Sequence, residues 1–300
     1  MRRDITFTSD GQQCAGWLFL PDNHASAASL PAVVMTNAIT AVKEMYLANY
    51  GERLAAAGFA ALAFDYRHYG GSGGEPRSEI DPGQQLDDIR NAISWLSRQP
   101  EVDPNRLGGW GISFGGAHLM YLAPFDRRLK AIVAVVPSAV PSIEVLERGM
   151  GPEGAAGFLG FLTQTRTATY GSGQAPTIKV ASAEQEPAMV PGPLANDFYS
   201  TAQQVAPSWR NEITLASLEK MMAYDPTWPV ARIAPTPLRV IAAAHDEFIP
   251  FDMVKATFER AGEPKDLVVL QCGHVEPYDT EPWLTQASDA GIEWFKRHLV

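Results

Sequence analysis

The sequence predicts an α/β fold with a mostly parallel central sheet, helices on both faces and an inserted, mainly helical cap. Short apolar runs typical of buried strands alternate with longer amphipathic segments that favour helices. One strand-to-helix transition carries a serine between two glycines, Gly111-Ile112-Ser113-Phe114-Gly115. The alternation stops after Ser138 and resumes near Leu238. We therefore expect one core interrupted by an insertion.

The N-terminal half supplies most of the predicted sheet. Two extended runs flank Ser9-Asp10-Gly11, a turn signal, and predict an antiparallel hairpin at the sheet edge. Residues 84–98 place apolar side chains on one face at helical spacing. The other elements expected here are strands 32–35, 59–64, 107–110 and 131–136 and a helix over 45–57.

The segment from Ser138 to Trp228 differs in composition and predicts a cap. It is rich in Gly, Pro, Ala and aromatic residues, and no strand is expected in it. We expect one or two helices over 142–163 with a break at Gly151-Pro152, an irregular loop over 171–195 and a helix over 211–224.

The chain returns to the core after the cap. Strands are expected over 238–243 and 267–270, and helices over 254–261 and 286–299. The predicted domains are a core of residues 1–137 and 229–300 and a cap of residues 138–228.

Composition excludes several classes of protein. A net charge of −10 disfavours a nucleic-acid or anionic-membrane partner, because both require clustered Lys and Arg. The chain start has no apolar signal region, and no apolar run is long enough for a membrane span. Only Cys14 and Cys272 occur, with no disulfide or metal spacing, which fits a reducing cytoplasm.

The Gly111 to Gly115 motif predicts a nucleophile elbow. A serine at a tight strand-to-helix turn adopts a strained backbone conformation, and glycines two positions away allow strand and helix to approach. A hydroxyl is a weak nucleophile until a base accepts its proton, so a histidine and an acid are required. Asp246 and His274 each follow a later predicted strand, in the chain order Ser, Asp, His. We predict that Ser113, Asp246 and His274 form a catalytic triad.

Other assignments remain open at this stage. Glu247 is the rival acid to Asp246. His68 has a smaller claim to line the site, His118 is expected in a packed or surface position, and His24 and His298 near exposed ends. A metal site on His274 and Glu276 lacks a third ligand at a telling spacing, so neither a metal nor another cofactor is predicted.

Acyl transfer requires donors for the negative charge that develops on the carbonyl oxygen. The backbone N–H of Phe114, aided by its helix N-terminus, is the first predicted oxyanion donor. The second should lie in the loop after the strand that ends at Met35, where Ile39 is favoured. The glycine-rich loop at Gly70 to Gly74 lacks a following Lys-Ser/Thr and is expected to be a tight connection braced by an Asp65–Arg67 pair.

These residues together resemble the α/β-hydrolase superfamily across nearly the whole chain. The likeness rests on Asp65-Tyr66-Arg67 with the following glycines, the elbow, Asp246 and Cys272-Gly273-His274. Within it, Val42-Lys43-Glu44 and residues 100–107 and 211–214 are similar to bacterial dienelactone-hydrolase-related proteins. The resemblance and the triad imply ester or thioester hydrolysis by a serine enzyme.

The cap should select the substrate. An apolar cleft beneath it predicts a small-to-medium acyl, aryl or polyketide-like group, with Phe161, Tyr199, Trp209, Tyr224 and Trp228 as candidate binding residues. An acyltransferase of the same fold and a non-catalytic ligand-binding homologue are the alternatives. Apolar cap surface is compatible with a homodimer.

Overall fold

The structure is a computed structural model that describes residues 1–22, 29–184 and 186–300. His24, expected near an exposed end, lies outside these residues. Within the described ranges the strands are β1 (Arg2–Ser9), β2 (Gln12–Phe19), β3 (Leu30–Thr36), β4 (Ala60–Phe64), β5 (Val102–Ile112), β6 (Leu129–Val135), β7 (Thr177–Ser182), β8 (Ala188–Pro191), β9 (Ile213–Thr214), β10 (Leu238–Ala243) and β11 (Lys265–Leu270). The α-helices there are α1 (Leu47–Ala56), α2 (Pro82–Leu96), α3 (Phe114–Leu122), α4 (Ser142–Thr169), α5 (Pro193–Val205), α6 (Leu215–Met222), α7 (Phe251–Arg260), α8 (Glu276–Asp279) and α9 (Trp283–Leu299).

The main sheet confirms the predicted fold class. Its eight strands run in the order β1-β2-β4-β3-β5-β6-β10-β11, and β3 to β6, β10 and β11 pair in parallel. β1 and β2 form the predicted antiparallel hairpin at one edge. The turn residues Asp10 and Gly11 both have positive φ, 46° and 82°, which suits a two-residue hairpin whose twist matches the strands.

Helices cover both faces of the sheet, as predicted. A Cβ added to Gly108 would meet Phe295 of α9, whereas one added to its neighbour Gly109 would meet Leu119 of α3. Successive strand residues point to opposite faces, so α9 and α3 lie on opposite sides of β5. Helix α1 packs with α9, and α2 packs with α3. Strands β3, β4 and β6 and the second half of β5, from Leu107 on, are almost wholly buried as a result.

The long helix of the predicted cap also agrees with expectation. Helix α4 is broken at Gly151, whose φ and ψ of 75° and 163° are not helical, and Pro152 follows directly. The helix therefore consists of two segments.

In the described part of the chain, no helix is both long and apolar enough to cross a membrane.

The rest of that segment corrects the prediction. The expectation of no strand in this segment was wrong, because β7, β8 and β9 form a three-stranded sheet in the order β8-β7-β9. Strands β7 and β8 lie in the loop expected over 171–195, and β9 occupies the start of the helix expected over 211–224, which is shorter, as α6. The side chain of Asn211 accepts hydrogen bonds from the N–H groups of Val180 and Ala181, both at 3.0 Å, and donates to the Ala181 carbonyl at 2.9 Å. The Asn211 side chain thus supplies hydrogen-bond partners for backbone groups of β7. Because Asn211 is distant in sequence, local sequence patterns do not encode this interaction.

The glycine-rich loop is braced differently from the prediction. Asp65 does not pair with Arg67 but binds Lys43 Nζ at 2.8 Å, and it accepts the N–H groups of Lys43 and Gly71 at 2.6 and 2.9 Å. Arg67 instead forms two hydrogen bonds to one oxygen of Asp88, at 2.9 and 2.6 Å. The predicted Asp65–Arg67 pair was wrong, because each residue finds a buried partner on a different element.

Candidate active site

The elbow is a tight turn between β5 and α3. Ser113 has φ 51° and ψ −116°, a region that costs a non-glycine residue about 1–3 kcal/mol. A Cβ on Gly115 would lie 2.4 Å from the Thr36 carbonyl oxygen, and one on Gly111 would lie 2.5 Å from the Gly115 carbonyl oxygen. The two glycines therefore permit a backbone approach that no other residue allows.

The structure brings the three predicted triad residues together. Asp246 follows β10, His274 follows β11, and both side chains are over nine-tenths buried. His274 Nδ1 lies 2.7 Å from Asp246 Oδ2, and His274 Nε2 lies 3.1 Å from Ser113 Oγ. Because a carboxylate can only accept, Nδ1 carries the proton and Nε2 is free to accept the serine proton. The catalytic roles of the three residues stay a prediction.

The loop after β10 distinguishes Asp246 from its rival Glu247. The second oxygen of Asp246 accepts the N–H groups of Phe248 and Ile249 at 2.9 and 2.7 Å, which fixes the carboxylate. Glu247 accepts the backbone N–H of His274 at 3.1 Å, whereas the hydrogen bond to imidazole Nδ1 comes from Asp246. The acid that orients His274 is thus Asp246, while Glu247 holds the histidine loop.

A cavity of about 560 Å³ opens above the serine. Phe114 and Ile39, the predicted oxyanion donors, both line it, and the Ile39 carbonyl accepts a hydrogen bond from the Tyr199 hydroxyl at 3.3 Å. Phe114 is the first residue of α3, so its N–H has no partner within the helix. The arrangement suits acyl chemistry, and the two donor roles stay predictions.

Comparison with known proteins identifies the family. A family model described as X-Pro dipeptidyl-peptidase (S15 family) matches residues 10–276. The chain belongs to this family. Thiohydrolase aneE of Aspergillus aculeatus is 32% identical over 267 aligned residues, covering 86% of this chain and 81% of that protein. Polyketide transferase ATR5 of Stachybotrys chlorohalonatus is 27% identical, covering 99% and 98%.

A solved structure agrees with this assignment. The α/β hydrolase GrgF from Penicillium sp. sh18 superposes with a TM-score of 0.85 at 25% identity, covering 100% of this chain and 99% of that one. The chain is therefore an α/β hydrolase, as the motifs predicted, and a hydrolase enzyme.

Only one of the five predicted substrate-binding residues of this S15-family hydrolase lines the cavity. Tyr199 does so, whereas Trp209 is buried behind it, with the two rings stacked at 5.1 Å. Phe161 and Trp228 do not line the cavity and are about half exposed, at 47% and 46%. Trp228 packs against Phe125, away from the cavity.

Tyr224 supports the cavity floor from below. It does not line the cavity, because its hydroxyl contacts His118 Nδ1 at 3.0 Å and its ring meets that of Phe114 edge-on. His118 Nε2 contacts Gln85 Oε1 at 2.9 Å, and burial lowers the pKa of His118 to about 3. A neutral His118 is therefore packed beneath the elbow, as expected. His68 does not line the cavity and contacts Gln84 at 3.0 Å.

The sequence reasoning missed two hydroxyl groups beside the nucleophile of this hydrolase. Ser138 Oγ lies 3.1 Å from Ser113 Oγ, and the Ser138 N–H donates to the Ser113 carbonyl at 3.0 Å. The Tyr278 hydroxyl lies 3.4 Å from His274 Nε2. No local sequence signal marks Tyr278, because His274 precedes the four-residue helix α8 and helical spacing does not relate the two residues.

Proposed function

We propose that this S15-family enzyme cleaves a carboxylic ester or thioester through an acyl-enzyme on Ser113. The observation that carries the proposal is the continuous hydrogen-bond chain from Asp246 through His274 to Ser113, at 2.7 and 3.1 Å. A serine, a base and an orienting acid in this order are the minimum set for nucleophilic acyl transfer.

Acylation uses each member of the chain once. Ser113 Oγ forms a bond to the carbonyl carbon while its proton passes to His274 Nε2. Asp246 stabilises the imidazolium, and the N–H groups of Phe114 and Ile39 bind the oxyanion. The tetrahedral intermediate collapses when the bond to the leaving group breaks and His274 returns the proton to it. Water then attacks the acyl-enzyme by the same steps in reverse.

The substrate is a neutral, partly apolar acyl compound of small to medium size. Among the described residues the cavity lining contains no Lys or Arg, and Glu247 is its only carboxylate. The lining combines core loops with α4, β8, α5 and α6, which supports residues 138–228 as a cap over a core of 1–137 and 229–300. The relative aneE is a thiohydrolase, which supports thioesters among the substrates.

Transfer of the acyl group to an alcohol or amine is the second candidate. The relative ATR5, similar along almost the whole chain, is a polyketide transferase. An apolar cavity lowers the local supply of water and favours an organic acceptor that fits it. Product analysis with a short alcohol added to an ester substrate separates the two: an excess of transfer product over acid supports transfer, and acid alone supports hydrolysis.

The test of the proposed chemistry is Ser113→Ala. Wild-type protein should hydrolyse short p-nitrophenyl esters or acyl thioesters and react covalently with a fluorophosphonate probe, and Ser113→Ala should do neither. Ser172→Ala is the matched control, since Ser172 is exposed and its hydroxyl bonds only to near neighbours, donating to the Thr169 carbonyl at 2.8 Å and accepting the Gln174 N–H at 3.1 Å. Retained hydrolysis in Ser113→Ala would refute the mechanism. An X-Pro dipeptide anilide in the same assay tests for the peptidase activity in the family description.

We also propose a cytoplasmic enzyme that forms a homodimer. Cys14 and Cys272 are both free, which suits a compartment where thiols stay reduced. Met150, Phe161 and Leu194 expose apolar surface in the cap region, at 49%, 47% and 40%, which supports self-association. Sedimentation equilibrium should give twice the chain mass, and a monomer at micromolar concentration would overturn the dimer.

A further inference from the structure

Tyr278 places a hydrogen-bond donor beside His274. It lies in α8, is 2% exposed and lines the cavity. Its hydroxyl oxygen is 3.4 Å from His274 Nε2. Within the described part of the chain, this nitrogen is the one hydrogen-bond partner of the hydroxyl. The hydroxyl is thus directed at the atom that takes up and returns the proton in the reaction.

The fold holds this hydroxyl in place from behind. Asn49 Nδ2 donates to the Tyr278 carbonyl at 3.3 Å, and the Tyr50 hydroxyl donates to the Pro277 carbonyl, so α1 anchors α8. The Tyr278 ring also meets the rings of Tyr46 and Phe198 edge-on, each at 5.1 Å. A side chain fixed in this way delivers a hydrogen bond without losing further conformational freedom.

The pKa of Tyr278 is raised well above its usual range, mainly because the side chain is buried. The group therefore keeps its proton through the reaction and acts as a hydrogen-bond donor, not as a base. In the resting enzyme Nε2 accepts the closer Ser113 hydroxyl, at 3.1 Å. The Tyr278 donor is left without a strong acceptor until negative charge develops nearby.

We propose that Tyr278 is a catalytic residue that donates a hydrogen bond to the leaving-group oxygen of the substrate. This inference rests on the proposed function. The leaving atom receives its proton from His274 Nε2 and so must lie within about 3 Å of that nitrogen. The Tyr278 hydroxyl lies beside the same nitrogen, while the predicted oxyanion donors belong to the loop after β3 and to the first residue of α3. Tyr278 therefore faces the leaving group.

The step balances without a further reactant. The carbon–oxygen bond to the leaving group breaks, its electron pair stays on that oxygen, and the proton on His274 Nε2 moves to it. Tyr278 keeps its own proton and stabilises the partial negative charge before the transfer is complete. In deacylation the same hydroxyl accepts no proton but orients the attacking water, or an acceptor alcohol, by hydrogen bonding to its oxygen.

The assignment makes activity depend on the leaving group in a specific way. An alkoxide is strongly basic and accumulates charge that needs a donor, whereas p-nitrophenolate disperses its charge over the ring. A thiolate is also a weaker base, as the ordinary thiol pKa of about 8.5 indicates. Tyr278 should therefore matter most for alkyl esters and least for p-nitrophenyl esters and thioesters.

The experiment compares Tyr278→Phe with wild type on ethyl and p-nitrophenyl esters of one acyl group. Because kcat/KM reports acylation, we expect about a ten- to hundredfold loss on the ethyl ester and less than about a threefold loss on the p-nitrophenyl ester. Equal losses on both esters would show that Tyr278 only positions His274 and would overturn the proposal, as would no loss on either.

Two controls keep the test independent of folding and of the proposed function. Tyr46→Phe removes a hydroxyl from the same ring cluster, where it donates to the Phe198 carbonyl at 3.3 Å, and should leave the ratio between the two esters within about twofold of wild type. If Tyr278→Phe does not fold, 3-fluorotyrosine is placed at position 278, where its hydroxyl is a stronger hydrogen-bond donor. The ratio of ethyl-ester to p-nitrophenyl-ester activity should then rise, and a lower ratio contradicts the proposal. Failure of the proposed function is recognised separately, by ester hydrolysis in Ser113→Ala.

Discussion

The predicted catalytic corner, around Ser113, and the predicted cap, residues 138–228, differ in how closely their backbones are packed. At the corner, Ser113 sits in a strained conformation, and added Cβ atoms on Gly111 and Gly115 would strike backbone within 2.5 Å. In the cap helix α4, Gly157 and Gly160 face open space, where an added Cβ meets nothing within 4 Å. The corner thus permits one backbone arrangement, whereas the cap accepts changes of side chain.

The difference separates chemistry from selectivity. Reacting groups must be held within a fraction of an ångström, so the fold determines their positions through backbone contacts and hydrogen bonds. A pocket for an apolar acyl group requires only volume and an apolar surface, which several side chains supply equally well. Substitutions in the two regions should therefore differ in kind as well as in size.

The largest effect should come from Asp246→Asn. The N–H groups of Phe248 and Ile249 keep the amide oxygen on their side, so the amide NH2 faces Nδ1 and the imidazole favours the wrong tautomer, which in a Ser-His-Asp triad lowers kcat by about 10⁴-fold. Glu247→Gln, on the adjacent residue, keeps an oxygen for the His274 N–H and should cost at most about threefold. Steady-state kinetics on one ester decides the matter, and comparable losses in both variants would make the acid assignment wrong.

A glycine pair tests this difference in packing directly. Gly115→Ala places a methyl group 2.4 Å from the Thr36 carbonyl oxygen and should lower the free energy of unfolding by about 3 kcal/mol. Gly157→Ala, in the open part of α4, should raise it by about 0.5–1 kcal/mol, because alanine restricts the unfolded chain and favours helix. Urea unfolding of both variants measures the contrast, and equal changes would contradict it.

Features encoded by local motifs could be predicted from the sequence, whereas features that depend on contacts between distant residues could not. The elbow is local, and a short motif encodes it, while Asp246 and His274 could be placed because loops after parallel strands meet at one sheet edge. The cap strands were missed because β7 depends on the distant Asn211 side chain. Trp209 and Tyr224 were assigned to the cavity because composition shows that aromatic residues are present but not which way they face.

His118, in α3, contacts Tyr224 where the two regions meet. Burial lowers the pKa of His118 to about 3, so the folded state binds this proton less readily than the unfolded state. The contribution of His118 to the free energy of unfolding is therefore fully present above about pH 6.5, and it is lost as the pH decreases towards 3. Between pH 6.5 and 4.5 this group alone should remove about 2 kcal/mol of the free energy of unfolding.

His118→Gln isolates this contribution. The amide can still bond to Tyr224 or Gln85 but does not titrate, so the variant should lose less stability than wild type over the same pH interval, even where it is less stable at pH 7.5. Urea unfolding at both pH values gives the difference. Parallel pH profiles for the two proteins would show that the joint is insensitive to acid.

The smallest effect should come from substitutions in the predicted cap, and it should be a change in the preferred acyl length. Met222 lines the cavity, so Met222→Ala enlarges it and should shift kcat/KM towards longer acyl groups, by about fourfold for each methylene that becomes buried. Trp228→Ala removes a larger side chain from the same segment, but one that packs against Phe125, away from the cavity, so the acyl-length profile should not move. A series of p-nitrophenyl esters of increasing acyl length measures both profiles. Selectivity that moved with Trp228 and not with Met222 would place the specificity surface outside this cavity, and the cap would then act on the substrate before it reaches Ser113.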